Sequence, residues 1–164
     1  MELKRKFEQL SYMDTFTQCY NRNYFLKQDY NEKKYLPCAY IMCDCNNLKK
    51  VNDRLGHHTG DKYIKNAVQI LKSVLPEDGI CIRWGGDEFL MIIPGCDQKM
   101  CDEIIEQINE QQKEEKETEP YMDIALGAFV RESMKQTEDD VIEKADQAMY
   151  IDKKKRKKED TAWK

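Results

Sequence analysis

CIRWGGDEFLMII, at residues 81–93, sets two short apolar runs on either side of a Gly-Gly pair. Paired glycines supply the positive φ angles that a tight hairpin turn needs. The stretch therefore predicts a β-hairpin with Gly85 and Gly86 in its turn.

The tip of this predicted hairpin carries two adjacent carboxylates, Asp87 and Glu88. They repel each other where a purely structural turn would prefer Asn-Gly or Asp-Gly. A bound cation would remove the repulsion, so the tip is typical of a metal site beside a phosphate. The pattern taken alone fits an acidic, solvated turn equally well.

A second acidic group stands at the end of a predicted strand. Residues 38–45 form an apolar run that ends abruptly at Asp44. α/β folds place their ligand-binding sites at the ends of buried strands, where the sequence changes from apolar to polar residues. Asn46 and Asn47 are natural N-cap residues for the helix that follows, whose free N–H groups and Lys49 would bind phosphate. Together with the hairpin, these features indicate a metal-nucleotide site.

Length and composition limit the classes of function. A chain of 164 residues suits one domain, and its net charge of −4 lacks the basic field of a general nucleic-acid-binding protein. The sequence has neither a signal peptide nor an apolar run near the roughly 18 residues of a membrane span. We therefore predict a cytoplasmic protein that binds no nucleic acid and does not insert into a membrane.

The chain contains seven cysteines, an odd number without a C-x-x-C pair. This pattern argues against a zinc site or a disulfide framework. Cys43 and Cys45 alternate with Asp44 along the predicted strand. We interpret the cysteines as small buried hydrophobic residues in a reducing cytosol.

The remaining elements are predicted from periodicity and turn residues. Residues 1–13 indicate the end of an amphipathic helix, with Leu3, Phe7 and Leu10 at helical spacing. The other predicted elements are a helix over 59–75 capped by Thr59, a turn over 76–79, a helix over 99–112, a charged loop over 111–120, a strand over 121–130 and a helix over 138–154. This order predicts an α/β (α+β) fold with an antiparallel-containing sheet covered by helices, and it argues against a Rossmann sheet.

Five separated blocks of the sequence resemble the GGDEF family, the diguanylate cyclases. The blocks are DTFTQCYNR at 14–22, DCNNLKKVND at 44–53, GHHTGD at 56–61, GGDEF at 85–89 and ADQAMYIDK at 145–153. They stand in the family's order and extend over nearly the whole chain, from about Asp14 to Lys157. The GGDEF motif alone would be a weak signal, but five ordered blocks argue strongly against chance.

The resemblance implies a fold and a division into domains. The fold would be the palm-like GGDEF fold, a central and mostly antiparallel sheet flanked by helices, similar to nucleotidyl cyclase catalytic domains. Residues 14–158 would form the GGDEF domain, with a linker or stalk helix at 1–13 and a C-terminal tail at 159–164. Such domains usually follow a sensor, so we expect a sensor domain upstream in the full-length protein.

The resemblance also implies a reaction. In the family, two GTP molecules condense into cyclic di-GMP with release of two pyrophosphates, at a transient head-to-tail homodimer of domains. Mg²⁺ or Mn²⁺ would neutralise charge there. Its ligands would be the carboxylates of Asp44 and Asp87 and the backbone carbonyl of Cys45. Glu88 would support the metal or assist deprotonation of the attacking hydroxyl.

Further residues match the family's phosphate-binding positions. Backbone N–H groups of Asn47 and Leu48 would bind phosphates together with Lys49. Lys153 would reach the same phosphates from the last helix. Lys157 stands where the family often has an arginine, and a lysine lacks the bidentate fork of that arginine. Most cations of the run 153–158 are typical of a solvated helix end.

Guanine recognition would fall to Asn52 and Asp61. A carboxylate accepts two hydrogen bonds from the N1–H and 2-amino groups of guanine, which adenine cannot supply. His57 and His58 are interpreted as structural, because no nucleophile or third group accompanies them.

Two departures from the family pattern bear on activity. Asn46 replaces the second aspartate of the D-x-D block, in a recurring D-x-N-x-L-K variant, and would slightly weaken metal affinity. Pro76 and Gly79 stand where the R-x-x-D feedback-inhibition motif belongs, so product is expected to inhibit only by competition at the GTP site. The other intact site residues favour an active cyclase over a catalytically silent GTP-binding module that regulates a partner domain. The missing R-x-x-D disfavours a product-sensing receptor.

Overall fold

A computed structural model describes residues 1–114 and 120–159, except for the side chain of Gln9. A four-stranded antiparallel sheet with strand order β2-β3-β1-β4 lies at its centre, flanked by helices. The elements are α1 (Glu2–Tyr12), α2 (Arg22–Lys27), a 3₁₀ turn (Lys33–Tyr35), β1 (Cys38–Cys45), α3 (Leu48–Leu55), α4 (His57–Ser73), β2 (Ile80–Arg83), β3 (Glu88–Pro94), α5 (Gln98–Glu114), β4 (Ile124–Arg131) and α6 (Glu138–Glu159).

The central strand is β1, which is buried along its whole length. It pairs in antiparallel with both β3 and β4, and helices cover the two faces of the sheet. Successive side chains of a strand point to opposite faces. Cys43 and Cys45 therefore pack in one core with α3, α4 and α5, whereas Tyr40 and Met42 pack in the other with α6. Burial on both faces explains why the strand is apolar from Cys38 to Cys43.

This sheet confirms the predicted fold class, although α4 starts earlier than predicted. The helix begins at His57, directly after Gly56, whose φ of +85° lies in the left-handed region. The glycine turns the chain two residues before Thr59, so the predicted cap at Thr59 is wrong. The Thr59 hydroxyl instead donates to the Leu55 carbonyl at 2.9 Å. His57 and His58 are exposed at the start of the helix.

The two long C-terminal helices also extend further than predicted. Helix α5 continues to Glu114 and α6 to Glu159, because the lysines, glutamates and glutamines at their ends are good helix formers. Residues 115–119 of the predicted charged loop and residues 160–164 of the predicted tail lie outside the described residues.

The β2–β3 hairpin is present, but its glycines do not act as predicted. Gly85 and Gly86 are not among the residues with positive φ, so the proposed reason for the glycine pair is wrong. The N–H groups of Trp84 and Gly85 both donate to the Glu88 carbonyl, at 2.8 and 3.1 Å, and close the turn. A Cβ atom on Gly85 would lie 3.1 Å from Oε2 of Glu88. Close packing, not backbone conformation, therefore accounts for Gly85.

Gly127 allows α6 to pack directly on β4. A Cβ atom there would overlap the backbone N of Met149 and the carbonyl O of Ala145. Backbone atoms of a helix cannot move aside as a flexible side chain can, so we expect Gly127→Ala to lower the free energy of unfolding by about 1–3 kcal/mol. Gly86→Ala is the matched control, because its Cβ would meet nothing within 4 Å. Urea denaturation measures both variants, and equal losses would contradict this explanation.

Candidate functional site

The ends of β1 and β3 bring the predicted carboxylates together. Asp44 pairs with Glu88 across the two strands, and directly paired residues project to the same face. Both side chains therefore lie on the α6 side of the sheet. The N–H of Cys45 donates to the Asp87 carbonyl at 2.8 Å, which holds the hairpin tip against the end of β1.

Asp44 is almost completely buried, with 3% of its surface exposed. Its Oδ2 accepts a hydrogen bond of 2.8 Å from Nζ of Lys153 on α6, whereas its buried Oδ1 has no partner among the described residues. Burial raises the pKa of Asp44 and the charge of Asp87 adds to this, while Lys153 acts in the opposite direction. A buried carboxylate oxygen without a partner is costly, and a cation or a ligand donor would satisfy it.

Glu88 lies in the same negative field. Burial raises its pKa, and the charges of Asp44, Asp87 and Asp146 raise it further. Burial acts to lower the pKa of Lys153, but Asp44, Asp87 and Glu88 together outweigh burial and raise it. One lysine does not balance these carboxylates, so the local charge favours a divalent cation.

The candidate donors suit Mg²⁺ or Mn²⁺. They are the carboxylate oxygens of Asp44, Asp87 and Glu88 and the backbone carbonyl of Cys45, which are hard oxygen donors. The thiol of Cys45 packs in the core on the opposite face, and burial raises its pKa well above the usual range. Across residues 1–114 and 120–159, no three His, Cys, Asp or Glu side chains converge on one metal position. Mg²⁺ tolerates this, because it is commonly held by one or two carboxylates together with substrate phosphates.

Asn47 starts α3 in the left-handed conformation, with φ of +64°. Its side chain makes no capping hydrogen bond, so its predicted role as a side-chain N-cap is wrong. Asparagine adopts the left-handed conformation more readily than most other residues, because its short polar side chain can form local hydrogen bonds. The first intrahelical bond joins the Val51 N–H to the Asn47 carbonyl. The N–H groups of Leu48 and Lys49 come before this bond and therefore lie at the N-terminal end of the helix, where a phosphate can bind. Lys49 is exposed there.

Asn52 lies at the junction of α3 and α4, next to Gly60, the residue before Asp61. Oδ1 of Asn52 lies so close to Gly60 that a Cβ atom on this glycine would overlap it. Asp61 follows directly and is exposed, whereas Asn52 is half-buried. Gly60 is a candidate that we did not assign from the sequence, although the G-H-x-x-G-D spacing contained the signal.

The cationic end of α6 is not uniform. Lys157 is exposed, and its charge acts to lower the pKa of Asp44. Arg156 is half-buried and donates to Asp123 at 3.2 Å and to Asp152 at 2.7 Å. The solvated-helix-end interpretation therefore does not apply to Arg156, which ties α6 to the residue preceding β4.

Arg83 joins the block at 14–22 to the hairpin. Its Nη1 donates to both carboxylate oxygens of Asp14, at 3.2 and 3.1 Å, and its Nη2 donates to the Gly86 carbonyl at 2.7 Å. Burial acts to raise the pKa of Asp14, but hydrogen bonds from Thr17 and the charge of Arg83 lower it overall. The block at 14–22 and the hairpin, which are distant in sequence, thus form one structural unit. We did not assign a role to Arg83 from the sequence.

The whole arrangement has known counterparts. Residues 11–159 match the family described as diguanylate cyclase, GGDEF domain. This chain belongs to the GGDEF family. The family prediction made from the five blocks is therefore confirmed.

Several curated proteins are similar to this chain over part of their own length. The probable diguanylate cyclase DgcT of Escherichia coli is 32% identical over 86% of this chain and 33% of its own length. A diguanylate cyclase of Vibrio cholerae is 29% identical over 92% of this chain and 49% of its own length. The Bacillus subtilis protein YtrP is 27% identical over 93% of this chain and 26% of its own length. The chain thus spans half or less of the length of these relatives.

Solved structures of GGDEF domains share the fold. The coiled coil and GGDEF domain of DgcB from Caulobacter crescentus, in complex with c-di-GMP, gives a TM-score of 0.79 at 22% identity, covering 93% of this chain and 87% of that chain. SiaD of Pseudomonas aeruginosa, a diguanylate cyclase in complex with its activator SiaC, gives 0.79 at 23% identity, covering 94% and 62%. Among the described helices of this GGDEF domain, none has the length and apolar character needed to cross a membrane.

Asn46, where this GGDEF domain departs from the family's second aspartate, is 4% exposed and supports the end of β1. Its Nδ2 donates to Oδ2 of Asp123 at 3.0 Å, and its N–H donates to the Asp123 carbonyl at 2.8 Å. The Tyr63 hydroxyl donates to the Asn46 carbonyl at 2.8 Å. A carboxylate at this position would face the carboxylate of Asp123, so the amide avoids a repulsion.

We expect Asn46→Asp to lower the free energy of unfolding by about 1–3 kcal/mol at neutral pH. The buried carboxyl beside Asp123 would have a raised pKa in the folded state. Stability would therefore fall as pH rises from the unfolded pKa of about 3.9 to the higher folded value, and recover on acidification. Urea unfolding at several pH values measures this. The double variant Asn46→Asp with Asp123→Asn exchanges the amide and the carboxylate and so restores a donor–acceptor pair. If this double variant were no more stable than Asn46→Asp alone, the pairing of residues 46 and 123 would be contradicted.

Proposed function

We propose that this GGDEF domain is a diguanylate cyclase that condenses two GTP into cyclic di-GMP, with Mg²⁺ or Mn²⁺ and with release of two pyrophosphates. The observation that carries the proposal is the buried carboxylate of Asp44, which has one oxygen on Lys153 and the other without a partner among the described residues. This oxygen lies at the end of the central strand, where the GGDEF hairpin closes against it. Relatives named as diguanylate cyclases support the same reaction.

The bound metal would supply charge neutralisation and would acidify the attacking 3′-hydroxyl. Asp44 and Asp87 would hold it by their carboxylates and Cys45 by its carbonyl. Lys153, already placed at Asp44, would extend to the phosphates. Glu88 would complete the metal ligands or accept the hydroxyl proton, and Glu88→Gln separates the two roles. Weakened Mn²⁺ binding would identify a ligand, whereas lost turnover with Mn²⁺ binding retained would identify a base.

The remaining candidates are assigned to the substrate. The start of α3 would bind phosphates through its N–H groups, and a shallow site between α3 and α4 would read the base. The phosphate-binding residues are Asn47, Leu48, Lys49, Lys153 and Lys157, and the guanine-binding residues are Asn52 and Asp61. We propose a cytoplasmic location, because GTP is found there.

The reaction requires two copies of the domain, each holding one GTP across a two-fold axis. Helix α1 offers Leu3, Phe7 and Leu10, which are 85%, 71% and 65% exposed and are spaced as in a coiled-coil seam. Its eleven residues are fewer than the roughly 12–15 that an isolated helix needs for even marginal stability. We propose that residues 1–13 are a stalk that pairs when an upstream sensor domain holds two copies together, and that residues 14–158 are the catalytic domain. This chain alone would dimerise only transiently.

Specific activity should therefore depend on concentration. Below the dissociation constant of the dimer, the rate per chain should fall roughly tenfold for each tenfold dilution, because the active species is a pair. Initial rates of cyclic di-GMP formation across about a hundredfold dilution measure this. Fusion of α1 to a parallel two-stranded coiled coil is the matched control and should flatten the dependence. A constant specific activity of the unfused chain would argue against the dimer.

A second candidate is a catalytically silent module that binds GTP and regulates a partner domain. The observation that favours it is Asn46, which stands where the family has a second aspartate and so leaves this end of β1 with one carboxylate fewer for a metal. Incubation with GTP and Mg²⁺, followed by mass spectrometry, separates the two functions. Cyclic di-GMP would identify the cyclase. The assay is repeated with the coiled-coil fusion at concentrations at which it is fully dimeric. If the fusion binds GTP and leaves it unchanged, the chain is the silent module.

A further inference from the structure

Cys19 and Cys81 bring their thiols together in the core. Their Sγ atoms lie 3.8 Å apart although 62 positions separate the residues in sequence, and the side chains are only 1% and 4% exposed. A disulfide has an S–S length of about 2.05 Å, so a movement of less than about 2 Å would join them.

The backbone keeps these two residues side by side. The N–H of Tyr20 donates to the Cys81 carbonyl at 3.1 Å, and the N–H of Arg83 donates to the Tyr20 carbonyl at 2.7 Å. Tyr20 also forms a parallel bridge with Ile82. The segment around Cys19 therefore runs along β2, and the approach of the thiols follows from the fold, not from one rotamer.

The two thiols of the pair have different surroundings. The hydrogen-bonding contact with the Cys81 thiol lowers the pKa of Cys19, although burial acts to raise it. Thr17 and the charge of Lys72 add to the lowering, and Asp14 opposes it. The pKa of Cys81 is raised well above the usual range, first by the hydrogen bond to Cys19 and then by burial. Lys72 holds its ammonium beside this segment, because its Nζ donates to the Gln18 carbonyl at 2.7 Å. This nearby cation favours the Cys19 thiolate, so Cys19 is the attacking thiol and Cys81 the resolving thiol.

We propose that Cys19 and Cys81 form a reversible disulfide with hydrogen peroxide as the oxidant. The Cys19 thiolate attacks one peroxide oxygen, the O–O bond breaks, and hydroxide leaves and takes up the proton that Cys19 released. The Cys81 thiol then loses its proton and attacks Sγ of the Cys19 sulfenic acid. The S–O bond breaks, and hydroxide leaves with that proton as water. The two thiols lose two electrons, the peroxide gains two, and two waters form.

The oxidant must reach two buried thiols, so it has to be a small molecule. Hydrogen peroxide is a small, neutral molecule, so a local opening of the segment around Cys19 would admit it. Oxidation should therefore be slower than that of an exposed thiol.

The disulfide would tie the chain between α1 and the sheet to the strand that leads to the hairpin. Cys19 follows α1, and Cys81 precedes the hairpin tip with its candidate ligand Asp87. A covalent link there restrains the end of α1 relative to this tip. Closure of so long a loop should raise the thermal midpoint by on the order of 10 °C at most. None of this depends on the proposed cyclase activity.

Peptide mapping tests the proposal. After treatment with hydrogen peroxide, alkylation under denaturing conditions and proteolysis, we expect a peptide pair linked through Cys19 and Cys81 that dithiothreitol separates. The oxidised chain should also unfold at a higher temperature than the reduced chain. Cys19→Leu should abolish both effects. Cys43→Ala is the matched control, because Cys43 is equally buried and burial raises its pKa.

Three outcomes would overturn the proposal. They are alkylation of both thiols after peroxide treatment, over-oxidation of Cys19 without a link to Cys81, and linkage of Cys19 to a different cysteine. The wild-type map decides the question even if a variant fails to fold, because it needs no substitution.

Discussion

Asp87→Ala should reduce cyclic di-GMP formation by about a thousandfold or more, because it removes a proposed metal ligand from the site where charge develops on the phosphate. The half-exposed side chain lies at the tip of the hairpin, and the closing hydrogen bond from Cys45 uses the backbone carbonyl of Asp87, which the substitution keeps. The fold should therefore survive. Turnover measured by mass spectrometry and a thermal unfolding curve together separate lost chemistry from lost structure.

Glu106→Ala is the control for Asp87→Ala. Glu106 is an exposed carboxylate on α5, and its removal changes the net charge equally without touching the site. A second measurement follows Mn²⁺ binding in the presence of a non-hydrolysable GTP analogue by electron paramagnetic resonance. Asp87→Ala should weaken that binding and Glu106→Ala should not. Wild-type turnover in the Asp87 variant would refute the metal assignment.

Asp61→Ala should narrow the preference for GTP over ATP by about a hundredfold, measured as the ratio of kcat/KM values. The carboxylate can accept two hydrogen bonds from guanine, whereas adenine offers no matching pair of donors and would leave it unpaired. Asp61 is exposed at the first turns of α4, so its removal should cost little stability. Kinetics with both nucleotides, each assayed alone, measure the ratio.

Asp102→Ala serves as the control for base selection, because Asp102 is an exposed aspartate on α5, away from the α3–α4 junction. Gly60→Ala gives an independent test of the same site. A methyl group there would push Oδ1 of Asn52 out of its position and should also narrow the preference. If both variants discriminated as the wild type does, guanine would have to be read elsewhere.

Local signals were sufficient to predict the main elements of the fold. Asp44 follows an uninterrupted apolar run, and a charged residue at the end of a buried strand is visible in the sequence alone. The hairpin, α3 and α4 were likewise predictable, because turn residues and helical periodicity act over a few neighbouring residues. The family assignment rested on five motifs with fixed spacing, and spacing is fully visible in a sequence.

The details of backbone conformation were less predictable, because one residue type can serve several purposes. Paired glycines suggested positive φ at 85 and 86, yet the hairpin uses Gly85 for close packing against Glu88. Thr59 had the composition of a cap, but Gly56 turned the chain first. In each case the residue type indicated a turn or the start of a helix, but it did not show which physical role the residue has there.

By itself, the sequence determined which side chains stand at the ends of the elements, because that depends on neighbours in the chain. Only the tertiary structure decided which of them meet. Lys153 reaches Asp44 across 109 positions because α6 packs on the face of the sheet to which Asp44 points. The contact between Cys19 and Cys81 likewise exists only because residues around Cys19 run along β2. Such pairings depend on the packing of whole elements against one another, which local patterns do not encode.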